Sequence, residues 1–327
     1  MAESWEVSDL DGASTGIRGG EYAGTSLREL VGRYPAELLG EAGVPDGAGI
    51  TRFPLLVKYL DAAHLLSVQV HPGDEFARKN ENGASGKTEM WYIVEARPDA
   101  EVISGLAEGT TPQMLREAIL DGTVEHLVRR YRVSQGDVVS IPAGRVHALG
   151  AGIVALEIQQ TSDVTYRMYD WGRRGVDGLP RQLHIEQSLA VTDFADHDTP
   201  CVTPVRRHCK WGTRSLLCLT QYFLTESLEM HGSVELTTTG SSADVLAVVS
   251  GDVGITWGAG NTRLTRGETV ILPAQFGRYV CSAQSEAFLV RSHVPAKNDL
   301  LGDWAPSNFT EQSLIRGVCD SSARRLI

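Results

Sequence analysis

Apolar and polar residues alternate with a period of two over several short stretches of this chain, the pattern of a strand with two unlike faces. In Leu65–His71 (LLSVQVH), Val68 and Val70 share one face, while Ser67, Gln69 and His71 share the other. Similar runs recur at Met90–Glu95, Glu101–Ser104, Asp137–Ile141 and Ile153–Gln159, punctuated by glycine and proline. Short, evenly punctuated strands predict a sandwich or barrel. Two stretches predict helix. Ser26–Leu39 carries apolar residues at Leu27, Leu30, Val31, Leu38 and Leu39, with Pro35 as a break or kink. Thr111-Pro112 ahead of QMLREAIL reads as an N-cap with proline at the first helical position. After Asp121-Gly122 the helix is predicted to resume over His126–Arg130, giving a helical insertion near residues 110–130 between two strands.

An internal repeat extends the picture. Gly136-Asp-Val-Val-Ser-Ile-Pro142 matches Gly267-Glu-Thr-Val-Ile-Leu-Pro273. The second copy is preceded by Val245–Ser250, a Gly251-Asp252 turn and Val253–Trp257, so a second barrel of the same kind is predicted. The first copy continues to Gly144 and His147; the second reaches Gly277 with no histidine. Only the first copy therefore has the pattern of a metal site. The polar stretch Thr192–Pro204, with Pro200 and Pro204, marks the boundary. The predicted organisation is a metal-binding domain over 1–200, a second domain without metal over 201–296, and a tail over 297–327 containing Trp304 and Phe309.

Composition narrows the function classes. The 327 residues are 42% hydrophobic and 22% charged, ordinary for a globular protein and long enough for two domains. A net charge of −11 disfavours nucleic acid and anionic membrane as partners, and an anionic small molecule would need a local cluster of Arg or Lys. The five cysteines are odd in number and lack CxxC spacing, which argues against a disulfide framework and predicts thiols in a reducing cytoplasm. The start, MAESWEVSDLDG, is acidic and does not read as a signal peptide. No apolar run approaches a membrane span.

Three segments carry candidate chemistry. Gln69 and His71 project to one side of a strand and can reach one point. Lys87 and Glu89 do the same at the start of the apolar strand MWYIV. His147 follows Pro142-x-Gly144, where glycine permits a tight turn. Taken singly, each residue is more often a solvent-facing, edge or core polar group than a ligand. Together, two imidazoles, a carboxylate and an amide oxygen form a mixed set that zinc accepts with room for water or a substrate oxygen. Iron and manganese fit the same set. A site net charge of about +1 would suit a carbonyl or alkoxide.

The segment Gly136-x5-Pro142-x-Gly144-x-x-His147 resembles the second motif of the cupin superfamily. The stretches LLSVQVHPGDEFA (65–77), GKTEMWYIVEA (86–96), IPAGRVHALG (141–150), EIQQTSDVTYRMYDWGR (157–173) and LHIEQSLAVTDF (183–194) resemble the short bacterial form of the type I mannose-6-phosphate isomerases. The likeness runs from about residue 3 to about 296. It implies a mainly β fold of two cupin-type β-barrel (jelly-roll) domains. It also implies one zinc ion per chain, and interconversion of mannose 6-phosphate and fructose 6-phosphate. The family's ligands map onto His71, Glu89 and His147, with Gln69 matching the glutamine of longer members. Its active-site arginine maps onto Arg167 and its motif lysine onto Lys87. Family members begin earlier than Met1 does here, so an early strand is expected to be missing, and the tail has no counterpart.

Aldose–ketose isomerisation moves a proton between C1 and C2 through an enediol, which calls for an acid/base group and oxyanion stabilisation. Glu157, facing with Ala155 and Gln159, is one candidate base, with a structural ion pair as its equal alternative. Lys87 is a second candidate, as proton carrier or clamp. Arg167 stays protonated and suits a phosphate or enediolate, with Arg173 and Arg174 as adjuncts. The rival readings are a non-catalytic sugar-phosphate-binding cupin with a regulatory role and an iron cupin dioxygenase. The partner expected is a small sugar phosphate, with the oligomeric state open between monomer and dimer.

Overall fold

In the computed structural model the described residues are 1–45, 49, 51–175, 178–258, 260–296 and Trp304. The protein is mainly β, and its chain divides into two compact units. The first comprises Met1–Ser4 and Lys58–Cys201; the second comprises Trp5–Val57 and the chain from Val202 onward. Residues 5–57, which the sequence pattern groups with the first domain, thus cluster with the second. Beyond Trp304, the predicted tail, with Phe309 and Cys319, lies outside the described residues.

The first unit is built on two sheets. One has the strand order Ala2–Val7, Leu55–Ala62, Ile153–Gln160, Glu89–Ala96, Val138–Ile141, Cys201–Val202. The other runs Tyr166–Tyr169, Val68–Val70, His147–Ala148, Glu101–Leu106, Val128–Arg132. Alternation decides what each face meets. Trp91, Ile93, Val102, Val139, Leu149 and Ala155 form one buried apolar cluster. Val68, Val70, Ile103 and Ala148, one residue out of phase on the five-stranded sheet, pack instead with Leu115, Ala118 and Ile119 of the helix Pro112–Asp121. Both faces of that sheet are therefore covered, and the polar partners of Val68 and Val70 in the alternation are turned inward.

The helix Pro112–Asp121 starts as the sequence predicts: Thr111 accepts from the Met114 amide, proline stands in the first turn, and Gly122 closes it at φ 70°. It does not resume over 126–130. A single 3-10 turn, Val124–His126, leads into the strand Val128–Arg132, whose residues pair with Glu101–Leu106. The run VRRYR is polar on both faces, so it lacks the alternation that marks a strand. At the other helical stretch, Pro35 divides Ser26–Leu39 into Leu27–Arg33, capped by a Ser26–Glu29 capping box, and Pro35–Leu39.

The second unit carries a six-stranded sheet, Val205–Cys209, Gly212–Leu219, Leu224–Met230, Ala287–His293, Asp244–Ser250, Thr269–Leu272. Its four-stranded sheet is Ser233–Thr237, Arg278–Ser282, Asp252–Trp257, Gly260–Thr265. The repeat seen in the sequence is wider than seven residues. The order 55–62, 153–160, 89–96, 138–141 in the first unit recurs as 224–230, 287–293, 244–250, 269–272 in the second. Register fixes the equivalences: Glu89 pairs with Ile141, and Asp244 pairs with Leu272, each partner being the residue before the motif proline. The described cysteines, 201, 209, 218 and 281, are free thiols, and no described helix is long and apolar enough to cross a membrane.

Candidate metal centre

His71, Glu89 and His147 converge inside the first unit, with ligand atoms all within 4.8 Å of one another. They arrive from different elements. His71 ends the strand Val68–Val70, Glu89 opens Glu89–Ala96 on the other sheet, and His147 begins the short strand after the Pro142–Gly144 turn. Gly144 makes that turn at φ 89°, and its amide donates to the His71 carbonyl at 2.9 Å, which ties the two histidine segments together. A second strap fixes Glu89. The Lys87 amide donates to the Pro72 carbonyl (3.0 Å), and the Gly86 amide donates to Asp74 Oδ1 (2.8 Å). A Cβ at Gly86 would lie 2.5 Å from the Asp74 nitrogen, so glycine is required by backbone contact. The sequences HPGD and GKTE are thus two halves of one hydrogen-bonded joint.

The orientation of each imidazole follows from its outer nitrogen. His71 Nδ1 lies 3.0 Å from the Val164 carbonyl, and His147 Nδ1 lies 2.8 Å from the Arg145 carbonyl. A carbonyl only accepts, so each Nδ1 carries the proton and each Nε2 turns a lone pair inward. These lone pairs face Glu89: His71 Nε2 is 3.5 Å from Oε2 and His147 Nε2 is 3.3 Å from Oε1. All three side chains are buried, Glu89 and His147 completely. Burial, reinforced by the Lys87 ammonium, pushes the His71 imidazole down to about 3, and burial also lowers His147. Burial alone would raise the Glu89 carboxyl, but the Lys87 ammonium and His71 outweigh it and hold it well below its ordinary range. Neutral nitrogens therefore confront an ionised carboxylate. His71 Nε2 and both Glu89 oxygens make no hydrogen bond. Buried acceptors that face one another, with Lys87 as the cation already beside Oε2, favour a further cation between them. The donor set fits a divalent metal.

Gln69 lies beside this cluster, its Nε2 3.2 Å from His147 Nε2. A half-turn of the amide would present the oxygen instead. Lys87, also buried, places Nζ 3.0 Å from Glu89 Oε2. Arg167 is on the same row as the ligands: Arg167 pairs with Gln69, and Gln69 with His147, across three neighbouring strands. Paired residues point to one face, so all three side chains share it. The Arg167 amide donates to His184 Nδ1 (3.1 Å) and its Nη1 to the Gln182 carbonyl (3.2 Å), while Nε has no partner.

Glu157 is not brought to the cluster. Its Oε2 accepts from Trp91 Nε1 (2.8 Å), and Oε1 is 3.0 Å from Lys58 Nζ. The Trp91 ring in turn meets His147 edge-on, with centroids 5.7 Å apart. Of the two alternatives for Glu157, base or structural ion pair, the contacts are those of an ion pair, with Lys58 and not an arginine as the partner, beside a ring that meets a histidine. Lys58 escaped sequence reasoning because it interrupts an apolar run, LLVKYL. A lysine in a strand that is otherwise core is a signal of a buried partner, but the partner is 99 residues away.

A family model for the cupin domain of mannose-6-phosphate isomerase matches residues 213–294, in the second unit. The fold is thus mainly β with a cupin domain. Mannose-6-phosphate isomerase ManA of Bacillus subtilis is 44% identical over 191 residues, a match spanning 58% of this chain and just 58% of that relative. The probable mannose-6-phosphate isomerase GmuF of the same organism is 36% identical over 289 residues, 87% of each chain. The chain belongs to the type I mannose-6-phosphate isomerase family of the cupin superfamily. Among solved structures, the mannose 6-phosphate isomerase from Bacillus subtilis superposes with a TM-score of 0.79 at 31% identity, covering 89% of both chains. A zinc-bound mannose 6-phosphate isomerase shares the fold with a TM-score of 0.68 at 18% identity, over 90% of this chain and 91% of the other.

Proposed function

We infer that this protein interconverts mannose 6-phosphate and fructose 6-phosphate, and that it does so with one zinc ion per chain held by His71, Glu89 and His147, with Gln69 as fourth ligand. The observation that carries the metal is the meeting of the His71 and His147 lone pairs with an ionised, buried Glu89. Zinc over iron or manganese is supported by the zinc-bound relative named above. The substrate is supported by the relatives' names together with the arginine and lysine that flank the cluster. On this reading each unit is one cupin jelly roll, the first catalytic and the second without metal.

When bound, the cation would supply Lewis acidity to the oxygens on C1 and C2. The chain's own groups do the rest. Lys87, beside Glu89 and not itself a ligand, is placed as an ammonium to donate to the oxygen that gains charge. Arg167 extends the positive side of the site along the ligand row. Glu157, neutralised by Lys58, acts through Trp91 to hold the His147 ring.

A coupled assay on mannose 6-phosphate tests this, with metal content measured on the same sample. Turnover is expected in zinc-loaded protein and loss of it with a chelator; inactive zinc-loaded protein overturns the reading.

A further inference from the structure

Arg167 is one of three guanidinium groups around a single acid. Asp170 is 5% exposed. Its Oδ1 accepts from Arg173 Nε (3.0 Å), Arg173 Nη2 and Arg181 Nη2 (2.5 Å), and its Oδ2 accepts from Arg181 Nε (2.6 Å). Both arginines come to it from outside regular structure. Trp171 reverses the chain at φ 56°, a conformation uncommon for a bulky residue, followed by Gly172 at 66°. The turn is held because Trp171 Nε1 donates to the Leu66 carbonyl (2.7 Å) and Arg173 Nη1 to the Leu65 carbonyl (2.7 Å). Leu65 and Leu66 lead directly into the strand that bears Gln69 and His71. A strained turn, two part-buried tethers and a shared acid thus fix two arginines next to the segment that leads into the ligand-bearing strand.

The charge count says at what. Arg167, Arg173 and Arg181 against Asp170 give 3 − 1, a local excess of two positive charges. A phosphomonoester at neutral pH carries about −1.5 to −2. In a protein of net charge −11, such a patch is the local exception an anionic substrate needs. Arg173 and Arg181 side chains remain 35% and 41% exposed, so their charge faces solvent although Asp170 does not, and Arg181 Nη1 is not used in holding the acid. The spacing also fits. Arg167 and His147 are two strand spacings apart, roughly 10 Å between backbones, which leaves room for an extended sugar chain between the arginines and the metal ligands.

We propose that Arg167, Arg173 and Arg181, drawn together by Asp170, receive the phosphate of the sugar-phosphate substrate while its carbonyl end lies at the His71–Glu89–His147 cluster. This rests on the isomerase reading and adds to it Arg173 and Arg181 as binding residues and Asp170 as a positioning residue. Arg174, adjacent in sequence, is excluded: it is exposed and donates to the Gly178 carbonyl (2.8 Å).

The test is inorganic phosphate binding by calorimetry on the full-length, metal-loaded protein, alongside steady-state kinetics. Arg181→Gln, on a side chain 41% exposed and with Arg173 left to pair Asp170, is expected to weaken phosphate about 10- to 100-fold, the loss of one or two charge-assisted hydrogen bonds. KM for mannose 6-phosphate is expected to rise in parallel, with a much smaller change in kcat and unchanged metal content. Asp170→Asn is expected to show the same KM-weighted split by releasing both forks, and Arg174→Gln to leave phosphate affinity and KM as in wild type. Wild-type phosphate affinity in Arg181→Gln overturns the proposal, whatever the turnover. Phosphate affinity lost in Arg181→Gln, in a protein that does not isomerise mannose 6-phosphate, upholds the receptor and overturns the isomerase reading instead.

Discussion

Glu89 and Asp244 hold the same place in the repeat, each opening a central strand opposite the residue before the motif proline. Their surroundings solve the same electrostatic problem in opposite ways. Around Glu89 the neighbours are two neutral imidazoles and one ammonium, Lys87 Nζ, 3.0 Å from Oε2, and neither imidazole donates to the carboxylate. Around Asp244 a guanidinium and a phenol both donate. Arg291 Nη2 donates to Asp244 Oδ1 (3.0 Å), Tyr279 Oη donates to Oδ2 (2.7 Å), and Arg291 Nη1 reaches Glu226 Oε1 (3.0 Å). Arg214 Nε and Trp304 Nε1 complete Glu226 at 2.7 and 2.9 Å, and the Trp304 ring carries Arg207 and Arg214 near its face. Even the ion pair behind the site is reversed. Register equates Glu157 with Arg291, so the lysine–glutamate pair of 58 and 157 stands where Glu226 pairs with Arg291. One strand order thus yields a centre where two imidazole lone pairs converge on a carboxylate and a centre where guanidinium and hydroxyl donors meet the carboxylates; only the first has the donor set of a metal site.

The comparison can be broken most decisively at His147. His147→Ala is expected to remove bound metal and lower turnover by at least about 100-fold, since loss of even an outer partner of a ligand costs 10- to 100-fold; metal analysis and the coupled assay read it. In the second unit the matching change acts on stability. Arg291→Met leaves Asp244 without its guanidinium and Glu226 with Arg214 and Trp304 alone, and is expected to destabilise by about 3–5 kcal/mol in denaturant unfolding, with no change in metal content. Acid sharpens the contrast further. Burial would raise the Glu226 carboxyl, but Arg214 and Arg291 overcome it and hold it at about 2. A depressed carboxyl stabilises the fold above its unfolded value and loses that contribution as pH falls through its folded one. Roughly 3 kcal/mol is therefore expected to disappear between about pH 4.5 and 2, and Glu226→Gln should flatten this part of a pH–stability profile. The smallest effect is at Trp304. Trp304→Phe keeps the ring over Arg207 and Arg214 but removes the donor to Glu226, and about 1–3 kcal/mol of stability is expected to go with it.

How much of this could be read from sequence depended on range. Strand alternation put Gln69 with His71 and Lys87 with Glu89, and the Gly-Pro-Gly pattern put His147 on a returning strand, because those relations are local. The pairing of Lys58 with Glu157 is not local, and a buried ion pair leaves no periodic trace in either strand. The same holds for Arg181, which meets Asp170 only through the turn at Trp171. The strand Val128–Arg132 carries arginine on both faces, so its pattern does not predict a strand. Residues 5–57 follow their own local patterns faithfully, and nothing in those patterns tells which core the segment joins.

The claim that the Glu89 centre works through an added cation is tested most directly by one titration. Protein stripped by chelator is assayed for mannose 6-phosphate isomerisation as zinc is returned. The account predicts negligible activity without metal and recovery that saturates at one zinc per chain, in wild type and in Arg291→Met but not in His147→Ala. Full activity in the stripped protein, or recovery in His147→Ala equal to wild type, would contradict it.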